Sequence, residues 1–214
     1  MYIWGFYITG DGRIAMEIRH YQPNDEVSWV RCRVLSFLDT AYYDQVLTKK
    51  ETYLNPSIEL VAIHQHQVVG LLDIECEQIE KTICTSGNGQ GGMIWHIAIH
   101  PDYQRMGIGQ KLLEEAEQLA KEKGLAYLEA WTRDDEWVNR WYKKNEFVQI
   151  YSYLHVYMEG KDELRKVVCS RDERGLQMKQ AFAHYSGTEQ EEVKSTFRRV
   201  YECRGYQKDL KRKK

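Results

Sequence analysis

The chain has 214 residues, of which 43% are hydrophobic and 12% aromatic; it can bury a sizeable core and is not a disordered tail. Its net charge of −2 offers no attraction to nucleic acid or to an anionic membrane, so neither is expected as a partner. The five cysteines (Cys32, Cys76, Cys84, Cys169, Cys203) form no CxxC pair and read as reduced thiols, which makes a cytoplasmic location the expectation.

In chain order, "MYIWGFYITGDGR" lacks the basic start of a signal peptide, and residues 1–15 read as an extension outside the core fold. No run of 18 apolar residues follows, so no transmembrane helix is expected. "IAMEIRHYQP" reads as a strand closed by Pro23. Asn24 or Asp25 then caps one helix or two across "NDEVSWVRCRVLSFLDTAYYDQVL". "IELVAIH" and "VVGLLDIECEQI" alternate as a hairpin about the polar turn "QHQ". "CTSGNGQGG" has no adjacent lysine to anchor a phosphate and reads as a flexible connector.

"GMIWHIAIHP" is a strand, and residues 107–123 are a helix. Its apolar stripe is Ile108, Leu112, Leu113, Ala116, Leu119 and Ala120, and Gly124 stops it. "LAYLEAWT" is a strand, and "DDEWVNRWYKKN" a helix whose leading acids suit its positive end. "EFVQIYSYLHVYM" is a strand with Tyr151, Tyr153, His155 and Tyr157 on one face and Leu154, Val156 and Met158 on the other. Residues 160–195 look polar and partly helical. "RRVYECRGYQKDL" has strand character, and "KRKK" is a solvated basic tail. These elements make a mixed α/β domain.

Gly107 and Gly109 stand at the mouth of a helix, where glycine is a poor helix former. The first turn of a helix carries unsatisfied N–H donors and about half a positive charge, so missing side chains there let an anion sit on main chain. A pyrophosphate fits that preference, and a tight turn that happens to use glycine is the plain alternative. Two rival phosphate motifs fail on spacing. Gln110 and Lys111 follow Gly109 where a P-loop needs lysine then a hydroxyl, and Leu112 stands where a dinucleotide fingerprint needs glycine.

The run Gln104-Arg105-Met106-Gly107-Ile108-Gly109 resembles the Q/R-x-x-G-x-G/A signature of the GNAT superfamily of N-acetyltransferases. "IAIHPDYQ" before it and "NRWYKKNEF" after it resemble the family's flanking segments. The resemblance spans about residues 16–158. It implies a splayed, mostly antiparallel central sheet flanked by helices, with a helical insertion near the C-terminus. The chain then divides into the 1–15 extension, a 16–158 acetyl-CoA-binding core, a 159–195 insertion, and a 196–214 final strand and tail.

By the same resemblance, backbone amides of Gln104, Arg105, Met106, Gly107, Ile108 and Gly109 would hold the pyrophosphate of acetyl-CoA. The strand at Ile97, Ala98 and Ile99 would pair with the pantetheine amides, and Asn139 would face the cofactor. Tyr142 would protonate the departing thiolate. The family often has Asn where this chain has Asp135, and Gly where it has Glu146, which leaves the pantetheine contacts open. His96 suits proton removal from the amine, with Asp73, Glu75 and Glu129 as alternatives. His64 and His66 lack supporting ligands, so no metal is expected.

The function expected is acetyl transfer from acetyl-CoA to a primary amine, on a small molecule or a peptide, by direct attack in a ternary complex. A non-catalytic acyl-CoA-binding or regulatory module is the alternative. The 159–195 segment is long enough for a lid or for a subunit contact in a homodimer.

Overall fold

Alternating β-branched and aromatic residues build a single sheet. The computed structural model, which describes residues 3–9, 12–167 and 177–210, places nine strands in it. They are β1 (Ile3–Thr9), β2 (Gly12–His20), β3 (Ser57–His64), β4 (Gln67–Cys76), β5 (Gly91–Ile99), β6 (Tyr127–Thr132), β7 (Val148–Glu159), β8 (Gln180–Tyr185) and β9 (Arg199–Asp209). The order across the sheet is β1-β2-β3-β4-β5-β6-β9-β7-β8. Every neighbouring pair is antiparallel except β5 with β6. The helices are α1 (Glu26–Phe37), α2 (Ile108–Glu122), α3 (Glu136–Lys144), α4 (Gly160–Leu164) and α5 (Gln190–Thr196).

The one parallel pair is also the place where the sheet opens. β5 and β6 are matched only from Gly91↔Tyr127 to Ile94↔Ala130, yet β5 runs on to Ile99. Beyond Ile94 it is paired with β4 alone, through Asp73↔His96 to Gly70↔Ile99. Trp95 is the extra residue of a bulge, since Ile74 faces Ile94 while Asp73 faces His96. A bulge adds local twist and bends its strand, which is what parting two strands requires.

Two cores hold the two faces. On one face α2 lays Ile108, Leu112, Leu113, Ala116 and Ala120 against Ile58, Leu60, Leu72 and Ile94, and Tyr142 of α3 joins this cluster. On the other, Trp29 and Cys32 of α1 pack on Val61, Leu71 and Ala98. Gly124, at φ +80°, ends α2 in the left-handed conformation. No helix among the described residues is long and apolar enough to cross a membrane.

Four elements differ from the sequence expectation. The leading segment takes the form of an edge hairpin, with β1 paired to β2 from Ile3↔Ile18 to Thr9↔Gly12. The helical pattern after Asn24 ends at Phe37, because the next residues are held across the sheet instead. The Ala41 N–H donates to the Asp135 carboxylate at 3.0 Å, Arg133 donates to the Ala41 carbonyl, and Arg199 binds Asp44 at 2.6 Å.

The glycine-rich connector is pinned rather than flexible. The buried Glu129 carboxylate accepts from the Thr85 and Ser86 N–H groups at 3.0 and 3.1 Å, and Glu77 accepts from Cys84 and Gly91. Among its described residues, the 159–195 segment is helical in α4 and in α5, which runs on to Thr196. Between them β8 adds a strand to the sheet edge, paired to β7 from Leu154↔Tyr185 to Glu159↔Gln180. Residues 168–176, Cys169 and the basic tail at 211–214 lie outside the described residues.

Candidate active site

The parted strands open a cleft of about 1680 Å³ that passes from the α2–α3 face to the α1 face. That is larger than an ordinary ligand pocket of roughly 300–1,000 Å³ and leaves room for two reactants.

On the α2 face, a turn at Pro101–Tyr103 carries the chain from β5 to the helix. Arg105 and Gly107 both take positive φ, +61° and +80°. No side chain caps α2, and its first turn holds no acid, so its N–H donors face the cleft uncompensated. A Cβ on Gly107 would meet open space. One on Gly109 would make only ordinary contacts of 3.7–3.9 Å with Ile99 and Trp141. The protein itself therefore does not crowd these positions, and the space above them suits a diphosphate lying on main chain. Arg105 and Lys144 stand on the same rim.

Ile97, Ala98, Ile99, Gln104, Arg105, Gly107, Ile108 and Gly109 all line the cleft. Gln104 also donates to the Ile99 carbonyl at 3.3 Å, tying the turn to β5. Met106 instead packs its side chain on the first core. Asn139 does not reach the cleft: its amide donates to the carbonyls of Arg133 and Asp135 (2.8 and 2.9 Å) and accepts from the Tyr206 hydroxyl (2.8 Å). A side chain so committed positions α3 and has nothing left to offer a cofactor.

Tyr142 lines the cleft, only 4% exposed, and its ring stacks on Tyr206 and meets Trp141 and Phe147 edge-on. Burial pushes its phenol pKa upward, so it keeps its proton.

On the α1 face His96 is held at both ring nitrogens. Arg33 Nε donates to Nδ1 at 3.3 Å, and Nε2 lies 2.6 Å from Glu51 Oε2. With Nδ1 accepting, the ring proton sits on Nε2 and points at Glu51. In this arrangement the imidazole lone pair faces the Arg33 guanidinium. Glu51, with its side chain 50% exposed, lines the cleft, as does Asp135. The Glu51 pKa is lowered, first by the hydrogen bond from His96.

The other carboxylates considered are engaged elsewhere. Asp73 is buried against Lys50 Nζ at 2.8 Å and the Tyr53 hydroxyl at 3.0 Å. Glu75 holds Asn55 and the Trp95 indole, and Glu129 holds the glycine loop. His64 packs its ring near Tyr103, and no group of three metal-ligating side chains gathers among the described residues.

Opposite Glu51 the cleft wall is aromatic. Tyr153 lies 5.4 Å from Trp131 and 4.6 Å from His184, and His155 stacks on His184 at 4.7 Å. A Cβ on Gly205 would come within 2.9 Å of the Trp131 ring, so this glycine lets the indole lie flat on β9. Cys203 lines the same wall, and burial pushes its thiol up to about 11.

Residues 55–149 match a family model described as an acetyltransferase (GNAT) domain. Among solved structures the chain is similar to the ribosomal-protein-S18-alanine N-acetyltransferase of Escherichia coli, at 11% identity and TM-score 0.57, over 93% of this chain and 96% of that one. It is similar to a GNAT-family acetyltransferase of Streptococcus pneumoniae at 17% identity and TM-score 0.58, over 92% and 99%. A third is NAA60 of Arabidopsis thaliana in complex with a bisubstrate analogue, at 11% identity and TM-score 0.53, over 91% and 97%. At these identities the likeness is one of fold. No curated protein matches the chain in sequence.

Proposed function

We propose that the protein transfers an acetyl group from acetyl-CoA to a primary amine by direct attack in a ternary complex, a reading supported by the match of residues 55–149 to an acetyltransferase (GNAT) domain model. The observation that carries this reading is the through-going cleft. An uncapped helix start with two bare glycines lies on one face of the sheet, and a carboxylate and an aromatic wall lie on the other.

Bound acetyl-CoA supplies a thioester already activated toward amines. The N–H groups from Arg105 to Gly109 hold its diphosphate, with the Arg105 and Lys144 side chains on the cleft lining, while the Gln104 N–H is given to the Pro101 carbonyl at 3.3 Å. The unpaired edge of β5 at Ile97–Ile99 orients the pantetheine arm. Holding both reactants in one cleft replaces a bimolecular encounter by an intramolecular one. Tyr142, kept protonated by burial, gives its proton to the departing sulfur.

A covalent acyl-cysteine route is disfavoured by Cys203: a thiol held near 11 is almost wholly protonated at neutral pH. The test is an amine panel followed by CoA release, with calorimetric titration of CoA beside it. Turnover with CoA binding is expected. CoA binding without turnover of any amine leaves the acyl-CoA-binding module, and absence of CoA binding removes both readings.

A further inference from the structure

We propose that Glu51 anchors the ammonium group of the acceptor, and that the ring wall of Trp131, Tyr153 and His184 receives an aromatic body carried by the same acceptor. This rests on the acetyl-transfer reading and names the substrate class for the same cleft.

The cleft lining carries Arg105 and Lys144 beside the helix start, and Arg33 with the carboxylates Glu51 and Asp135 on the acceptor side. Asp135 is turned away, since both its oxygens accept from the Ala41 N–H. Glu51 binds His96 through Oε2, and among the described residues no other hydrogen bond reaches its carboxylate. The nearest cation, Arg33, is committed to His96 and to the Gln45 carbonyl at 2.7 Å. Lys50 is committed to Asp73 and Glu59. An incoming ammonium therefore finds one carboxylate, held in place by His96 and Arg33 as positioning residues, beside the unpaired stretch of β5.

The ring wall selects the body. Trp131, Tyr153 and His184 form a continuous run of rings, half-buried at Trp131 and Tyr153 and exposed at His184. Rings of this kind favour a flat apolar group by stacking, and they add attraction for a nearby cation. An ammonium joined to an aromatic body by a short linker meets both features. It occurs in free arylalkylamines and at the N-terminus of a peptide that begins with an aromatic residue.

The proton accounting closes without another reactant. The ammonium paired with Glu51 gives up one proton to the water that reaches this half-exposed carboxylate. The freed nitrogen forms the C–N bond as the C–S bond breaks. The second proton lost by nitrogen balances the one that Tyr142 gives to sulfur.

The test uses the full chain with acetyl-CoA and four acceptors: 2-phenylethylamine, a peptide with N-terminal phenylalanine, an aliphatic diamine, and O-methylhydroxylamine, which is unprotonated at neutral pH. Phenylethylamine or the peptide is expected to be preferred over the diamine, and the better of the two identifies the source. Glu51→Gln, which keeps a hydrogen bond to His96, is expected to raise KM for the ammonium acceptors roughly 10- to 100-fold. The loss for O-methylhydroxylamine, which brings no charge to this carboxylate, should be smaller by at least about fivefold, and CoA affinity should stay within about twofold.

His184→Ala is expected to cost roughly 3- to 10-fold in kcat/KM for the aromatic acceptors only. Equal slowing of protonated and unprotonated acceptors by Glu51→Gln would reduce Glu51 to a structural residue and overturn the proposal. A preference for the diamine would overturn the aromatic half. Because both outcomes require turnover, neither is confused with failure of the acetyl-transfer reading, which shows as absence of activity toward every amine.

Discussion

Tyr142 and Tyr206 lie stacked, with ring centroids 5.3 Å apart and planes 11° from parallel. Tyr206 in turn donates to Asn139, whose amide holds the carbonyls at the start of α3. The chain of contacts fixes the helix that carries Tyr142 against the central strand β9. None of it uses the Tyr142 hydroxyl, so packing and chemistry are separable at this residue. Tyr142→Phe is expected to keep the stack, to change unfolding stability by less than about 1 kcal/mol, and to leave CoA affinity unchanged. Its kcat is expected to fall about 100-fold. Urea unfolding, calorimetry and steady-state kinetics on one preparation check all three, and an undiminished kcat would take Tyr142 out of the reaction.

The two glycines at the helix mouth differ in what they need. Gly107 sits at φ +80°, where an alanine costs about 1–2 kcal/mol whatever the space around it. Gly109 is inside the first turn of α2, and its added Cβ meets nothing closer than 3.7 Å. Gly109→Ala is therefore expected to raise stability by about 0.5–1 kcal/mol, through helix propensity, while weakening CoA binding at least about tenfold. Gly107→Ala is expected to lower both. A Gly109→Ala protein that is stabilised and still binds CoA normally would show that the carrier does not lie on this turn.

What was legible in the sequence was local. The stripe from Ile108 to Ala120 repeats at the helical period, and Tyr151, Tyr153, His155 and Tyr157 alternate at the strand period, so both elements could be read with their faces. Glu51 could not be read. It stands in the aperiodic run "KKET" and meets His96 only because the sheet brings the segment before β3 beside β5. Asn139 lies one turn before Tyr142, but spacing alone does not say that α3 turns it toward Tyr206 on β9. β8 was missed for a related reason: "QAFAHY" has no fully buried position, so its alternation carries little hydrophobic signal.

The glycine-rich segment gives a third expectation. Glycine content suggested mobility, yet the Thr85 and Ser86 N–H groups both end on Glu129, more than forty residues away. Glu129→Ala removes the shared acceptor and leaves those donors, their hydroxyls and the Trp131 indole without it. A loss of about 2–4 kcal/mol in urea unfolding is expected. Hydrogen exchange at Thr85 and Ser86 should accelerate more than at strand β4. Unchanged exchange at those two amides would mean that the carboxylate does not hold the loop.

His155 supplies the pH dependence. Its pKa is held down to about 4, first by burial, then by the Arg133 guanidinium that donates to its Nδ1, and then by His184. An unfolded histidine titrates near 6.5. Between these values the unfolded chain binds the proton and the native protein does not. This group's contribution to stability is therefore complete above about pH 6.5 and is lost as pH falls toward 4. At 1.36 kcal/mol per pKa unit the whole difference is about 3 kcal/mol, and screening by solvent reaching the cleft wall reduces it to about 1–2 kcal/mol. Unfolding midpoints between pH 7.5 and 4.5 should fall over the lower part of that range. In His155→Gln, which retains an acceptor for Arg133, the slope should be shallower by that amount. The ring proton resonance of His155 gives an independent reading: a midpoint near 6.5 would mean that solvent and the guanidinium leave this imidazole free to charge, and the acid sensitivity would then belong to another group.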